Sequence, residues 1–509
     1  MTKFKRNIFL IFWCLLVMAS LSILAEVSWG AVFCVSTPTE LQNALDAAET
    51  NGEDDIIKVC QGTYNGSFYF FSDEGLGITL LGGYSSDCAD RVVNPSNTIL
   101  DGGGLSCVLS LLNTNGGDVY LEGFTIQNGV GNCYGVGVIA ESESHIRAAG
   151  DVTLDNNIIT GNIATGNYAG AGVFARSGSD SEPTGNVTLT NNTITGNTTE
   201  GWAGGVHACT FSWTGMAGDV ILINNIITGN MAYDCGGGVD AISNSISGTA
   251  GNIILTNNTI TENTADSCGG GLSIYQPADR NSYVYNNIIW GNTAPLGGDI
   301  HFFPWGPGIP SGYNNDYSDM NGNWTNSGNN INEDPFFVGS GNYRLQDISP
   351  CIDAGDNSAP ELPEFDFDGN PRMIDGDGDG IAIADMGAYE YYIGIVEVSI
   401  DIKPGTYPNT INLGSQGNVP VAIFSTSDFD TTTIDPTTVT LAGTSVKLKR
   451  KDTQMSSFED VNGDGLKDIV VHFDITALEL TVGDMEAFLE GETFDGIFIK
   501  GTDTVRIIE

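Results

Sequence analysis

Positive charge is what this chain has least of. It carries 18 Lys and Arg against 63 Asp and Glu, with 4 His, for a formal net charge of −45. Such a surface repels nucleic acid, anionic membranes and acidic polysaccharides unless cations intervene, and it favours Ca²⁺ as counter-ion. The one basic run, Lys447, Lys449, Arg450 and Lys451, reads as the cover of a hairpin and not as a nucleic-acid grip. Long apolar runs are scarce too. Beyond residue 30 nothing approaches the roughly 18 apolar residues of a membrane-spanning helix, so no membrane span is expected. No Cys lies in a lipidation context, and an LPxTG-type motif or a final apolar helix is absent, which leaves the mode of anchoring open.

The apolar stretch that does occur stands at the start. Lys3, Lys5 and Arg6 precede a run from Ile8 to Leu24, the order of a secretory signal peptide over residues 1–30, with cleavage after Gly30 or near Ala25. The mature chain is therefore expected to be exported, extracellular or on the bacterial cell surface.

Repetition is what the chain has in abundance. The phrases NNIITGN at 156–162, NNTITGN at 191–197, NNIITGN at 224–230, NNTITEN at 257–263 and NNIIWGN at 286–292 follow one another at steps of 35, 33, 33 and 29 residues. Each follows a β-type phrase such as Gly150-Asp151-Val152-Thr153-Leu154-Asp155 and precedes a glycine-rich one; residues 118–128 are a degenerate earlier copy. A β-rich period of this size means a solenoid of stacked coils. Val152 and Leu154 alternate inward, Ile159 follows a bend and Val173 lies in the next strand, so each coil is expected to carry three short strands. Asn157, Asn192, Asn225, Asn258 and Asn287 fall in one column and Asn162, Asn197, Asn230, Asn263 and Asn292 in another. Stacked amides there bond along the axis and tolerate a left-handed bend.

At the front, Thr37-Pro38-Thr39-Glu40 spells a helix capping box, and Leu41, Ala44, Leu45 and Ala48 form one apolar stripe before Gly52. This predicts an amphipathic helix capping the open end of the solenoid. The repeats resemble right-handed parallel β-helix proteins, the pectate-lyase-like architecture shared with many bacterial surface proteins, over residues 31–310.

Ten cysteines less Cys14 in the leader leave nine, so at least one is unpaired or bonded to another chain. Cys235 and Cys268 each open a Cys-Gly-Gly-Gly run, 33 residues apart, and share a column on neighbouring coils. At a strand spacing of about 4.8 Å, both a disulfide and a ladder of two buried thiols fit.

Residues 311–395 change character. Tyr343-Arg344-Leu345, the run from Ser349 to Gly355, Pro371-Arg372 and the run from Asp385 to Tyr391 stand in the order of the choice-of-anchor Q domain, which this stretch resembles. That resemblance implies a segment closing a β-helix in an exported protein and association with surface attachment, not a reaction. Nearby Trp305, Tyr313, Tyr317 and Trp324 read as a cover for the helix core. From 396 to 509, alternating β phrases predict a small β-sandwich, similar to a C-terminal module recurrent in exported bacterial proteins.

Two acidic loops point to Ca²⁺. Asp460, Asn462, Asp464 and Asp468 place oxygens at alternate positions, with Gly465 at the turn and the Leu466 carbonyl as a further ligand. The pattern resembles the Ca²⁺ loops of integrin-type β-propellers and dockerins. Asp375, Asp377, Asp379 and Asp385 form a second candidate, with Met386 where an EF-hand has Glu.

A third candidate site lies on the solenoid surface. Aligning Val138, Val173, Val206, Val239 and Leu272 inward sets Ile139, Phe174, His207, Asp240 and Ser273 in one outward column, and Glu141, Arg176, Cys209, Ile242 and Tyr275 in the next. Phe174, His207, Trp213, Asp240 and Tyr275 are the expected ligand-binding residues of a groove, and His207, Asp240 and Arg176 the candidates for catalysis. His207 beside Asp240 has the form of a general base with its orienting carboxylate. An inverting glycosidase needs carboxylates about 6.5–9.5 Å apart, whereas Glu141 and Asp240 lie three coils, or about 14 Å, apart. The expected function is thus a calcium-stabilised surface β-helix, non-catalytic, acting in adhesion or binding of an extracellular polysaccharide or cell-surface glycan. The alternatives are a polysaccharide lyase or glycoside hydrolase working in that groove, and a structural spacer.

Overall fold

A computed structural model describes residues 30–166, 170–276, 282–304, 311–313, 315–317, 320–321, 325–326, 330–392, 396–426, 429–449, 453–494 and 498–508. The expected leader up to residue 29, Trp305, Trp324, Arg450 and Lys451 lie outside the described residues, as do the side chains of Tyr313 and Tyr317. Contacts divide the chain into one unit ending at Tyr391 and a second, Tyr392–Glu509.

The first unit is built on a parallel β-helix. Alternating apolar residues set its strands. In one coil these are Val152–Asp155, Ile158–Thr160, Ile163–Ala164 and Val173–Ser179. Each pairs in parallel with its counterpart on the next coil: Val187–Thr190, Thr193–Thr195, Thr198–Thr199 and Val206–Ser212. Stacking yields a first sheet of 11 strands, a second and a third of 9 each, and a fourth of 5. The fourth goes beyond the three strands expected per coil, because its strands are two residues long and two residues carry no period. Val152, Leu154, Ile159 and Val173 and their counterparts are fully buried and form one continuous core.

The paired asparagines divide two tasks. The first of each pair, Asn156, Asn191, Asn224, Asn257 and Asn286, takes the left-handed bend at φ 51–57°. The second stacks. Asn192 Oδ1 accepts from both the backbone N and Nδ2 of Asn157 (3.0 and 3.1 Å), while Asn192 Nδ2 donates to the Leu154 carbonyl and to Asn225 Oδ1. The pattern continues through Asn258, Asn287, Asn315 and Asn330. The second column runs from Asn162 to Asn292 and ends on the buried carboxylate of Asp299. Every rung satisfies a buried backbone N–H that would otherwise cost about 1–3 kcal/mol.

The open end is capped as the stripe predicts. The helix spans Pro38–Ala48, with Thr37 accepting from the Glu40 N–H and Leu41, Ala44, Leu45 and Ala48 buried. Glu40 reaches back to Ser36 instead of the cap residue itself. Gln42 donates to the Tyr69 carbonyl and accepts from its N–H, and Glu49 accepts from the Phe71 N–H, so the edge strand Phe68–Ser72 is paired by side chains.

The segment from 331 to 391 lies along the flank of the β-helix. Outer asparagines grip its backbone: Asn224 donates to the Phe365 carbonyl, Asn257 to those of Asp385 and Gly387, and Asn286 to that of Asp356. Tyr343, Ala388 and Tyr389 pack on Ile226, while Leu345, Cys351 and Met386 pack on Ile288, so the outer face of the second sheet is covered. Arg372 pins it. Its guanidinium is 1% exposed, donates to Glu390 at 2.7 Å and to the Ala388 carbonyl at 2.9 Å, and meets Asn224 Oδ1.

The second unit sets a 5-stranded mixed sheet and a 4-stranded antiparallel sheet around a core that includes Ile402, Val421, Leu441, Val471, Phe473 and Leu489. This is a small β-sandwich.

Candidate functional site

On the third sheet, strand register pairs Phe174 with His207, His207 with Asp240, Asp240 with Ser273 and Ser273 with His301. Two residues along, Glu141, Arg176, Cys209, Ile242, Tyr275 and Phe303 form a parallel column. The two columns meet solvent very differently.

The first column is roofed. The glycine-rich turn before each strand folds back over it, so a Cβ on Gly236 would stand 3.0 Å from that of Asp240, and one on Gly269 3.1 Å from that of Ser273. Both glycines have positive φ, which a side chain would strain further. Cys235 and Cys268 form a disulfide across adjacent coils, Cα–Cα 4.6 Å, and staple the roof. Phe174 and His207 are consequently 8% exposed, and Asp240 and Ser273 are fully buried. The open groove expected around His207 is absent at this column, because the glycine-rich turns that precede the strands cover it.

Under the roof, His207 Nδ1 donates to Asp240 Oδ2 at 2.9 Å and Phe174 stacks on the imidazole at 5.2 Å. Burial opposes the imidazolium, but hydrogen bonds to Asp240 and Cys209 and the Asp240 charge outweigh it and raise the His207 pKa to about 9. A group protonated at neutral pH has no lone pair with which to act as a base. Among the described residues, Asp240 Oδ1, Ser273 Oγ and His301 Nδ1, on successive rungs, find no partner within the protein.

The second column faces outward. Arg176 bridges Glu141 at 2.9 Å and Glu143 at 3.2 Å. Burial holds the Glu141 carboxyl above its ordinary pKa, against the pull of Arg176. Tyr275 stacks on Phe303 at 3.9 Å and on Trp202 at 6.1 Å, and Phe211 meets Trp213 edge-on at 5.6 Å. Trp202 and Trp213 are 37% and 52% exposed. Sequence reasoning missed Trp202, which stands in a glycine-rich turn outside the strand alternation. A further cleft of about 650 Å³, lined by Asn156, Asn191, Phe365 and Asp366 among others, opens where the flank segment meets the coils. It too was missed.

The two acidic loops have one hydrogen-bond pattern. Asp460 accepts from the N–H groups of Gly463 and Gly465, Asn462 from Asp464 and Asp464 from Leu466. Asp375 accepts from Gly378 and Gly380, Asp377 from Asp379 and Asp379 from Ile381. Asp468 is buried and accepts from the Val461 N–H, the second position of its loop, at 2.8 Å. The corresponding N–H in the other loop, that of Gly376, donates to Asp353 at 2.8 Å. Carboxylate oxygens of Asp353, Asp375 and Asp377 lie within 4.8 Å of one another. The structure thus joins Asp353 to Asp375 and Asp377, a group of carboxylates that does not include Asp385. Asp385 is buried and accepts from the backbone N–H groups of Asp353 and Tyr391. Burial pushes its pKa upward, and burial together with the Asp385 charge does the same for Glu390. Both donor sets are all-oxygen and suit a hard cation.

No helix among the described residues is long and apolar enough to cross a membrane. No family model matches the chain, and a search of curated proteins finds no match.

Proposed function

We propose that this is an exported, surface-located β-helix protein that binds an extended glycan along the outward face of the third sheet without cleaving it. The observation that carries this reading is the aromatic ledge of Trp202, Tyr275 and Phe303, with a second pair, Phe211 and Trp213, farther along the same face. Ring faces, with Asn244 paired in register with Phe211 and with Arg176 and Glu141 farther along the Tyr275 column, suit stacking on the sugar rings of an extended chain with hydrogen bonds to hydroxyls. A net charge of −45 favours a neutral glycan over a uronate. Export is supported by the signal-peptide-like start and by three disulfides, Cys34–Cys88, Cys107–Cys133 and Cys235–Cys268. The flank segment, with its likeness to the choice-of-anchor Q domain, supports surface placement.

Calcium belongs to the proposal as a structural ion. Asp460, Asn462 and Asp464 with Asp468, and Asp375 and Asp377 with Asp353, are the residues that would hold it, stiffening the turns. The second reading, a lyase or hydrolase, rests on the His207–Asp240 pair, whose burial and protonation favour a packing role. Glycan-array binding that is lost in Tyr275→Ala and Trp213→Ala but kept in His207→Gln supports the ledge. Turnover abolished by His207→Ala would replace it with an enzyme. Addition of EDTA should lower the melting temperature of the protein; an unchanged value would remove Ca²⁺.

A further inference from the structure

The N-terminal coils hold a thiol against a disulfide. Cys34 and Cys88 are bonded across 54 residues, and the free Cys60 Sγ stands 3.7 Å from Cys88 Sγ, with all three sulfurs within 4.8 Å of one another. Cys60 and Cys88 are 3% and 9% exposed. Cys34, by contrast, is exposed, on the strand Val32–Val35 at the edge of the first sheet. We propose that Cys34, Cys60 and Cys88 form a thiol–disulfide relay whose outlet is Cys34, a site for mixed-disulfide attachment of an external thiol compound.

The chemistry balances without an added oxidant. A swing of the Cys60 side chain brings its thiolate in line with the existing bond; it attacks Cys88 Sγ, a Cys60–Cys88 bond forms, the Cys34–Cys88 bond breaks, and Cys34 leaves as a thiolate that takes up the proton Cys60 gave away. Attack at Cys88 follows from its being in contact with Cys60, and it is the attack that frees the exposed sulfur. An external disulfide RS–SR is then attacked by the Cys34 thiolate, giving Cys34–S–SR and RS⁻. Burial raises the Cys60 thiol pKa, so the exchange should be slow near neutrality and quicken with alkali.

The test uses the full chain, native and without reductant. After incubation at rising pH with iodoacetamide, or with oxidised glutathione as the external disulfide, disulfide-mapped peptides should show Cys34 modified together with a Cys60–Cys88 linkage. The yield should increase with pH. Cys60→Ser should keep Cys34–Cys88 and lose modification of Cys34. Cys34→Ser, expressed under oxidising conditions, should carry a Cys60–Cys88 bond. A single linkage at every pH with Cys34 unmodified, or a Cys34→Ser protein in which Cys88 remains a free thiol, would overturn the relay.

Discussion

Two flanks of the same β-helix carry the same repeat and meet different fates. On the second sheet the outward residues Ile226, Thr259 and Ile288 are at most 4% exposed, because the segment from 331 to 391 lies over them. On the third sheet the outward face beyond the roofed column is left to Arg176, Tyr275, Trp202 and Trp213. The first flank uses apolar contacts, gripping asparagines and one buried ion pair to join distant parts of the chain. The second keeps its rings half in water, where a sugar can reach them. The difference teaches that a repeat sets the scaffold, while function is assigned by what each flank is given to cover.

Breaking the covered flank should cost most. Arg372→Ala leaves Glu390 buried without its partner, a loss of about 3–5 kcal/mol, seen as a lower melting temperature and early proteolysis within the flank segment. Arg176→Ala on the open flank removes a part-exposed pair and should cost no more than about 1 kcal/mol. Equal effects of the two would erase the contrast.

Next comes the axis both flanks share. Asn258→Ala removes the acceptor for Asn225 N and Nδ2, each at 3.0 Å. Two buried donors left unpaired predict about 2–4 kcal/mol of destabilisation, whereas Asn191→Ala, at an outer position near the cleft, should cost less. Denaturant midpoints decide between them.

A smaller effect sharpens the roofed column. The folded pKa of His207 is raised to about 9 from its ordinary 6.5. The imidazolium's contribution is therefore complete below pH 6.5 and is lost as pH climbs through about 9. The native protein should lose melting temperature across that window, and His207→Gln should flatten the profile. An unchanged slope would show that the pair is not coupled to folding.

How much of this was legible in sequence depended on whether a residue repeats. The columns through Asn157 and Asn162, the inward Val and Leu positions and the Phe174–His207–Asp240 register follow from constant spacing, and the Leu41–Leu45 stripe from helical period. Spacing alone points to the stacked Asn157 column for the left-handed bend, but Asn156 adopts it; adjacent identical residues give no means of telling them apart. The roof over His207 was hidden because a glycine-rich turn carries no direction. Arg372 meets Asn224 across 148 residues, and Asp353 joins Asp375 from outside its loop; contacts made once leave no periodic trace.

The central claim, that recognition belongs to the open third-sheet flank, is tested most directly by hydroxyl-radical footprinting with a glycan selected from the array. Binding should protect Trp202, Trp213 and Tyr275 while leaving the exposed Phe365 at the cleft unchanged. Protection confined to Phe365 and its neighbours, with the ledge still fully reactive, would contradict the account and move the binding site to the covered flank.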